Sequence, residues 1–207
     1  MSPLPHRQHR ACPTHPSGVT AIESLLAVAI VSIAGSALLS SLGSAVQSSR
    51  EIALTTVARG LADQLIAEAA ASPVPSPAEP PVPGRPRKDF QFVDDFDGWT
   101  ESPPRDRHGR LIGTEGDPAD PLSTRPLAMQ ADQTLLARFR RTVTVEPVAL
   151  DGGPPTWSVT TSPTFFRRVV VRVEFTDDDP AQQPADDIRW RQLAEASRIV
   201  CHVAPSL

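Results

Sequence analysis

Cysteine is nearly missing from this 207-residue chain: Cys12 and Cys201 are the whole complement. Two thiols that far apart exclude a disulfide framework and a cysteine-based metal site. Cys201 sits in the strand-like run SRIVCHV and reads as a small buried hydrophobe. Lysine is scarcer still, since Lys88 stands alone among arginines, a bias we assign to the genome before any function. There is no basic surplus either. The formal net charge is -4, which argues against a nucleic-acid-binding face. Beyond residue 17 the histidines are His108 and His202, neither beside a Ser or Cys pattern of catalytic geometry. The expectation is therefore no enzyme, no catalytic residues, no cofactor and no metal site.

One absence is local. No charged residue occurs between Glu23 and Arg50, a run of 26 residues that would measure about 39 Å as a helix at 1.5 Å per residue. That is long enough to cross a bilayer. Arg7 and Arg10 precede the run, whereas Arg50 is followed at once by Glu51, which places the N-terminus in the cytoplasm and the bulk of the chain outside. After Arg50 the apolar positions Leu54, Val57, Leu61, Leu65 and Ala69 recur every three or four residues, with Arg59, Asp63 and Glu68 on the remaining surface. Arg59 and Asp63 stand at i and i+4, a weak helix pair. Pro73 biases Ser72 away from helical geometry and ends the pattern. One helix from about Val19 to about Ala71 follows, apolar to residue 49 and amphipathic over 50–72.

Residues 73–88 contain seven prolines among the first fifteen and read as an extended spacer. Residues 89–207 read as one small, loop-rich domain. Phe90, Phe92, Phe96 and Trp99 would pin its first part, and Leu135 to Val148, Phe165 to Phe175 and a run ending in Ser197 to Val203 are its strand candidates. Turns come from DGGPP and DDDPAQQPADD. The fold class is α+β: a long N-terminal helix, then a small antiparallel β-meander packed on its soluble half. Asp94, Asp95 and Asp97 lack a full calcium-loop pattern and read as a solvated acidic loop; whether they bind calcium stays open. Asp177, Asp178 and Asp179 read as a polar turn. Trp157, Phe165 and Phe166 read as core or rim residues rather than a sugar platform.

The unit that carries function is Gly18, then VTAIE, then the apolar run. An ordinary secretory signal is cut after its apolar segment; here the small residue precedes it, and a carboxylate stands at the threshold. Ionised Glu23 inside hydrocarbon would cost roughly 2.5 to 3.5 kcal/mol, so it calls for a partner or an interfacial place. An amine freed at Val19 by cutting is the obvious one. Over Ser17 to about Ser49 this pattern resembles the class III signal of type IV pilins and type II secretion pseudopilins. The resemblance implies that residues 1–18 are a leader removed by a prepilin peptidase between Gly18 and Val19. It also implies N-methylation of Val19, and an assembly role for Glu23 in pairing with the N-terminal amine of a neighbouring subunit. Removal of Arg7 and Arg10 would take the formal charge from -4 to -6. The chain departs from the family in having Val19 where Phe is common and Ser40 where many major pilins carry Pro; Gly35 and Gly43 each weaken the stem by about 1 kcal/mol relative to Ala.

The ARGLADQLIAEAAASP stretch and the late FRRVVVRVEF strand resemble the minor pseudopilin I and minor pilin V kind. The implied partners are other pseudopilins or pilins and the inner-membrane assembly platform, with placement at or near the filament tip. The rivals are a surface binding domain behind an ordinary signal, cut after Ala45 to leave Val46 first, and an uncut membrane anchor. Whether the machine is a secretion system, a pilus or a DNA-uptake apparatus does not follow from the residues.

Overall fold

The structure is a computed structural model and describes residues 20–75, 85–113, 131–151, 156–162 and 164–201. Gly18, Val19, Cys12 and His202 lie outside the described residues. The chain divides into two compact units between Ser49 and Arg50, where charge first returns to the sequence.

A single helix, α1, runs Ala21–Ala71. It begins after Thr20 because TAIE forms a reciprocal cap, and it stops where Pro73 follows Ser72, whose amide tightens the last turn by donating to Ala69 O at 3.1 Å. In the first unit this helix buries nothing. Eleven large apolar side chains from Ile22 to Val46 are 58–77% exposed, and α1 is the one described helix long and apolar enough to cross a membrane. Several of its serines bond back to the helix. Ser32 Oγ donates to Val28 O and Ser36 Oγ to Ser32 O, both at 2.8 Å, and Ser44 Oγ donates to Ser41 O at 2.9 Å.

In the second unit the remainder of α1 buries Leu54, Ala58, Leu61, Ala62, Leu65, Ile66 and Ala69, a stripe at helical spacing. Val57 is only half-buried, and Arg59 and Asp63 are exposed without pairing to each other. Glu68, expected on the open surface, is instead half-buried against Arg87. The sheet contains β1 (Thr100–Glu101), β2 (Phe139–Asp151), β3 (Thr156–Val159), β4 (Phe166–Phe175) and β5 (Arg191–Cys201), all paired antiparallel. Its order is β1-β2-β4-β5, with β3 on β2. A four-residue helix, α2 (Gln133–Leu136), leads into β2 and is capped by Asp132, whose carboxylate accepts from Thr134 N at 2.9 Å.

The expected α+β class is found. Phe165 to Phe175 matches β4 to one residue; Leu135 and Leu136 of the first candidate belong to α2 instead, β3 was not among the candidates, and the run ending in SRIVC is β5, which starts at Arg191. Period-two alternation sends Phe139, Arg141, Val143 and Val145 to one face of β2, opposite Phe175, Val173, Val171 and Val169 of β4. These positions are 0–8% exposed and join the helix stripe in one hydrophobic cluster. Each fully buried Val or Phe contributes roughly 1.5–3 kcal/mol relative to exposure. Pro147 is the last β2 residue paired with β4, opposite Arg167; from Val148 onward β2 pairs with β3.

Among the described residues that follow α1, several are held against the core. Val74 is 2% exposed, and Pro73 O accepts from Val93 N at 3.0 Å. Arg87, within the proline-rich stretch, is buried as well. Phe90 and Phe96 are buried edge to face with ring centroids 4.8 Å apart, while Phe92 and Trp99 are half-buried. At Gly113, with φ +83°, a Cβ would stand 2.6 Å from Ala131 Cβ, so no other residue fits.

Candidate functional site

Of the N-terminal motif, Glu23 is described. Its Oε2 accepts from Thr20 N at 2.8 Å and from Thr20 Oγ1 at 3.1 Å, while Glu23 N donates to Thr20 Oγ1 at 3.3 Å. This is a capping box, T-x-x-E, which satisfies donors that the first helical turn leaves open. The T-x-x-E spacing that makes this cap is contiguous in the sequence. The carboxylate is exposed, so its cap is also within reach of a cation from outside the chain.

A second constellation was not anticipated. The alternation that builds the core face of β2 places Arg141 there, fully buried. Its guanidinium meets Glu101 through Nε at 2.9 Å and through Nη2, and Nη2 also donates to Arg105 O at 2.6 Å. Nη1 reaches Leu61 O at 3.4 Å and Gln64 Oε1 at 3.5 Å on α1. Arg87 lies alongside. It donates to Glu68 at 2.5 and 3.0 Å, to Glu101 at 3.3 Å and to Arg105 O at 2.6 Å, and its guanidinium stands 4.9 Å from the Trp99 ring. Burial pulls the Arg141 guanidinium below its usual range, and the neighbouring Glu101 charge opposes that pull. This network fastens α1, the 85–113 segment and β2 to one another. Its chemistry is that of a scaffold, because every oxygen and nitrogen named is turned to an internal partner.

The acidic triplet is a correction. Asp94 grips Arg167 with contacts of 2.8, 3.0 and 3.1 Å. Asp95 Oδ2 accepts from Gln91 N at 2.8 Å and Phe92 N at 3.0 Å, and Asp97 Oδ1 accepts from Val145 N at 2.9 Å. Three carboxylates within four residues thus serve three separate fastenings, and of the three Asp97 alone is exposed. Among the described residues no group of three or more His, Cys, Asp or Glu is arranged to hold a metal ion. Asp178 and Asp179 do shape the β4–β5 turn, Asp179 Oδ1 accepting from Ala181 N at 3.0 Å.

Cys201 is also corrected: it is exposed, at the end of the sheet's last strand, rather than buried. His108 is exposed. Trp157 and Phe166 are half-buried with ring centroids 4.9 Å apart, and Phe165 is 54% exposed, which makes this group a rim. No family model, no curated protein and no solved structure matches the chain.

Proposed function

We propose that this chain is a pilin-like structural subunit, a minor pseudopilin or pilin most like the pseudopilin I and pilin V kind. It is made as a single-pass protein of the bacterial inner membrane with its N-terminus in the cytoplasm and its C-terminal domain outside. Prepilin peptidase cuts between Gly18 and Val19, Val19 is N-methylated, and the assembly platform adds the subunit at or near the tip of a type II secretion pseudopilus or a type IV pilus-like filament.

The observation that supports this reading best is the first half of α1: an apolar surface on every side, several of its serine hydroxyls bonded to its own backbone, and a lone carboxylate at its entrance. Such a surface is not stable in water and is suited first to lipid and then to the packed stems of neighbours. Small residues such as Ala27, Ala29, Gly35 and Ala37 would let those stems approach closely. In the single chain Thr20 holds Glu23. At assembly the amine of a neighbour's Val19 offers a full charge, and a charge-assisted bond is roughly twice as strong as a neutral one.

Two measurements test this. N-terminal sequencing of the membrane-fraction protein should return Val19, methylated; Val46 would identify an ordinary signal and an intact leader a plain anchor. Glu23→Gln preserves a capping-box residue but removes the charge, so it should block incorporation into purified filaments, whereas Thr20→Val, which removes the cap hydroxyl, should not. Unchanged incorporation of Glu23→Ala would sink the pairing role.

A further inference from the structure

Across the sheet, arginines are matched one to one with carboxylates: Arg140 with Glu174, Arg167 with Asp94, Arg168 with Glu146, Arg172 with Glu195 and Arg191 with Glu51. Among the described residues Arg59, Arg189 and Arg198 stand singly without a carboxylate partner, but in one place unpaired cations come together. Two adjoining clefts, of about 300 and 490 Å³, open in the 85–109 segment and share Lys88 and Arg107 as lining residues, with Arg85 added in the larger one. None of these three cations has a hydrogen bond or ion pair with another described residue. The lining carboxylates Glu101 and Asp106 are already engaged by Arg141 and Arg87 and by Arg110, which leaves Asp89 as the one unpaired lining carboxylate. The smaller cleft has an apolar wall in Trp99 and Pro86.

An acidic chain that leaves three cations unpaired around a concave, part-apolar surface is arranged for an anion from outside. We propose that these clefts bind an acidic segment of another polypeptide, with Arg85, Lys88 and Arg107 taking its carboxylates and Trp99 taking an apolar side chain between them. Arginine's planar fork suits bidentate carboxylates. A nucleic acid fits less well, because it needs a continuous basic track, whereas Asp89 interrupts this one and the chain as a whole carries -4. The proposal concerns the second unit alone and stands or falls separately from the reading of Val19 and Glu23.

The test uses the full chain purified in detergent and a fluorescein-labelled peptide of ten residues, Glu with one central Leu, read by fluorescence anisotropy. Saturable binding that weakens as salt rises is expected. The triple variant Arg85→Glu, Lys88→Glu, Arg107→Glu should lose on the order of tenfold to a hundredfold in affinity, and Arg59→Glu, an exposed reversal on α1, should lose little. If the triple reversal disturbs folding by circular dichroism, the milder Lys88→Gln, Arg107→Gln pair reads the same effect. No binding at millimolar peptide, equal loss in Arg59→Glu, or tighter binding of a ten-nucleotide single strand than of the peptide would each overturn the proposal.

Discussion

The two halves of α1 share one backbone solution and differ in everything outside it. Up to Ser49 the side chains are apolar nearly all round and uncovered; beyond Ile52 most of the apolar ones are gathered into a stripe from Leu54 to Ala69 at 0–6% exposure, with Arg59 and Asp63 outside. Hydrogen bonding cannot explain the contrast, because a helix satisfies its own amides in either setting. The difference lies in what covers the surface. The second half is covered by the chain's own sheet and carries its stability with it, while the first half must take its cover from its surroundings.

Substitutions can break that comparison or make it sharper. The largest effect is expected from Arg141→Ala, which leaves Glu101 without its principal buried partner: a loss of about 3–5 kcal/mol in urea unfolding followed by tryptophan fluorescence. Next comes Leu65→Ala, at a fully buried position, with about 2–5 kcal/mol lost. Leu39→Ala, 72% exposed in the first half, should leave the same transition within about 0.5 kcal/mol. An equal loss at Leu39 would mean the halves are not independent in the way described.

The smallest effect is set by pH. The Asp106 carboxyl is pushed up by burial, but bonds from the Arg110 amide and side chain and from the His108 amide outweigh this and hold it below its ordinary 3.8. Glu51 lies below 4.5 chiefly through its bond from Arg191. Both folded values are depressed, so the folded protein binds fewer protons than the unfolded chain in this range. Their contribution is complete above 4.5 and is lost as the pH falls through the folded values. A urea midpoint that drops in acid, while the helical signal of the detergent-held segment persists, is the expected result.

Much of the scaffold was legible. Pro73 fixed the end of α1, and alternation exposed the core of β2 and β4 because one face of each is buried. The first half of β5, RQLAE, was not legible because an edge strand has fewer covered positions and so shows no period. Cys201 went astray for the same reason, its apolar neighbours suggesting a burial that the strand's place at the edge does not provide. At the buried network the position of Arg141 could be read from its register. Its counterion could not, since Glu101 lies forty residues earlier. The same holds for Asp94 and Asp97, whose partners Arg167 and Val145 come from distant strands. The Gly18–Glu23 motif is different in kind, because contiguous residues carry the whole of it.

The change of partner at Pro147 has a bearing on how this protein can vary. Proline has no amide hydrogen to give a ladder, and it stands where β2 leaves β4 for β3. Its partner is Arg167, while Val148 next to it pairs with Val159, so the returning chain holds seven residues between two positions that are adjacent on the outgoing strand. Length can be added or removed there without shifting either register or moving a core valine. Lineages diverging from this sequence should therefore accumulate insertions and deletions between Val159 and Phe166 before they alter the strands on either side.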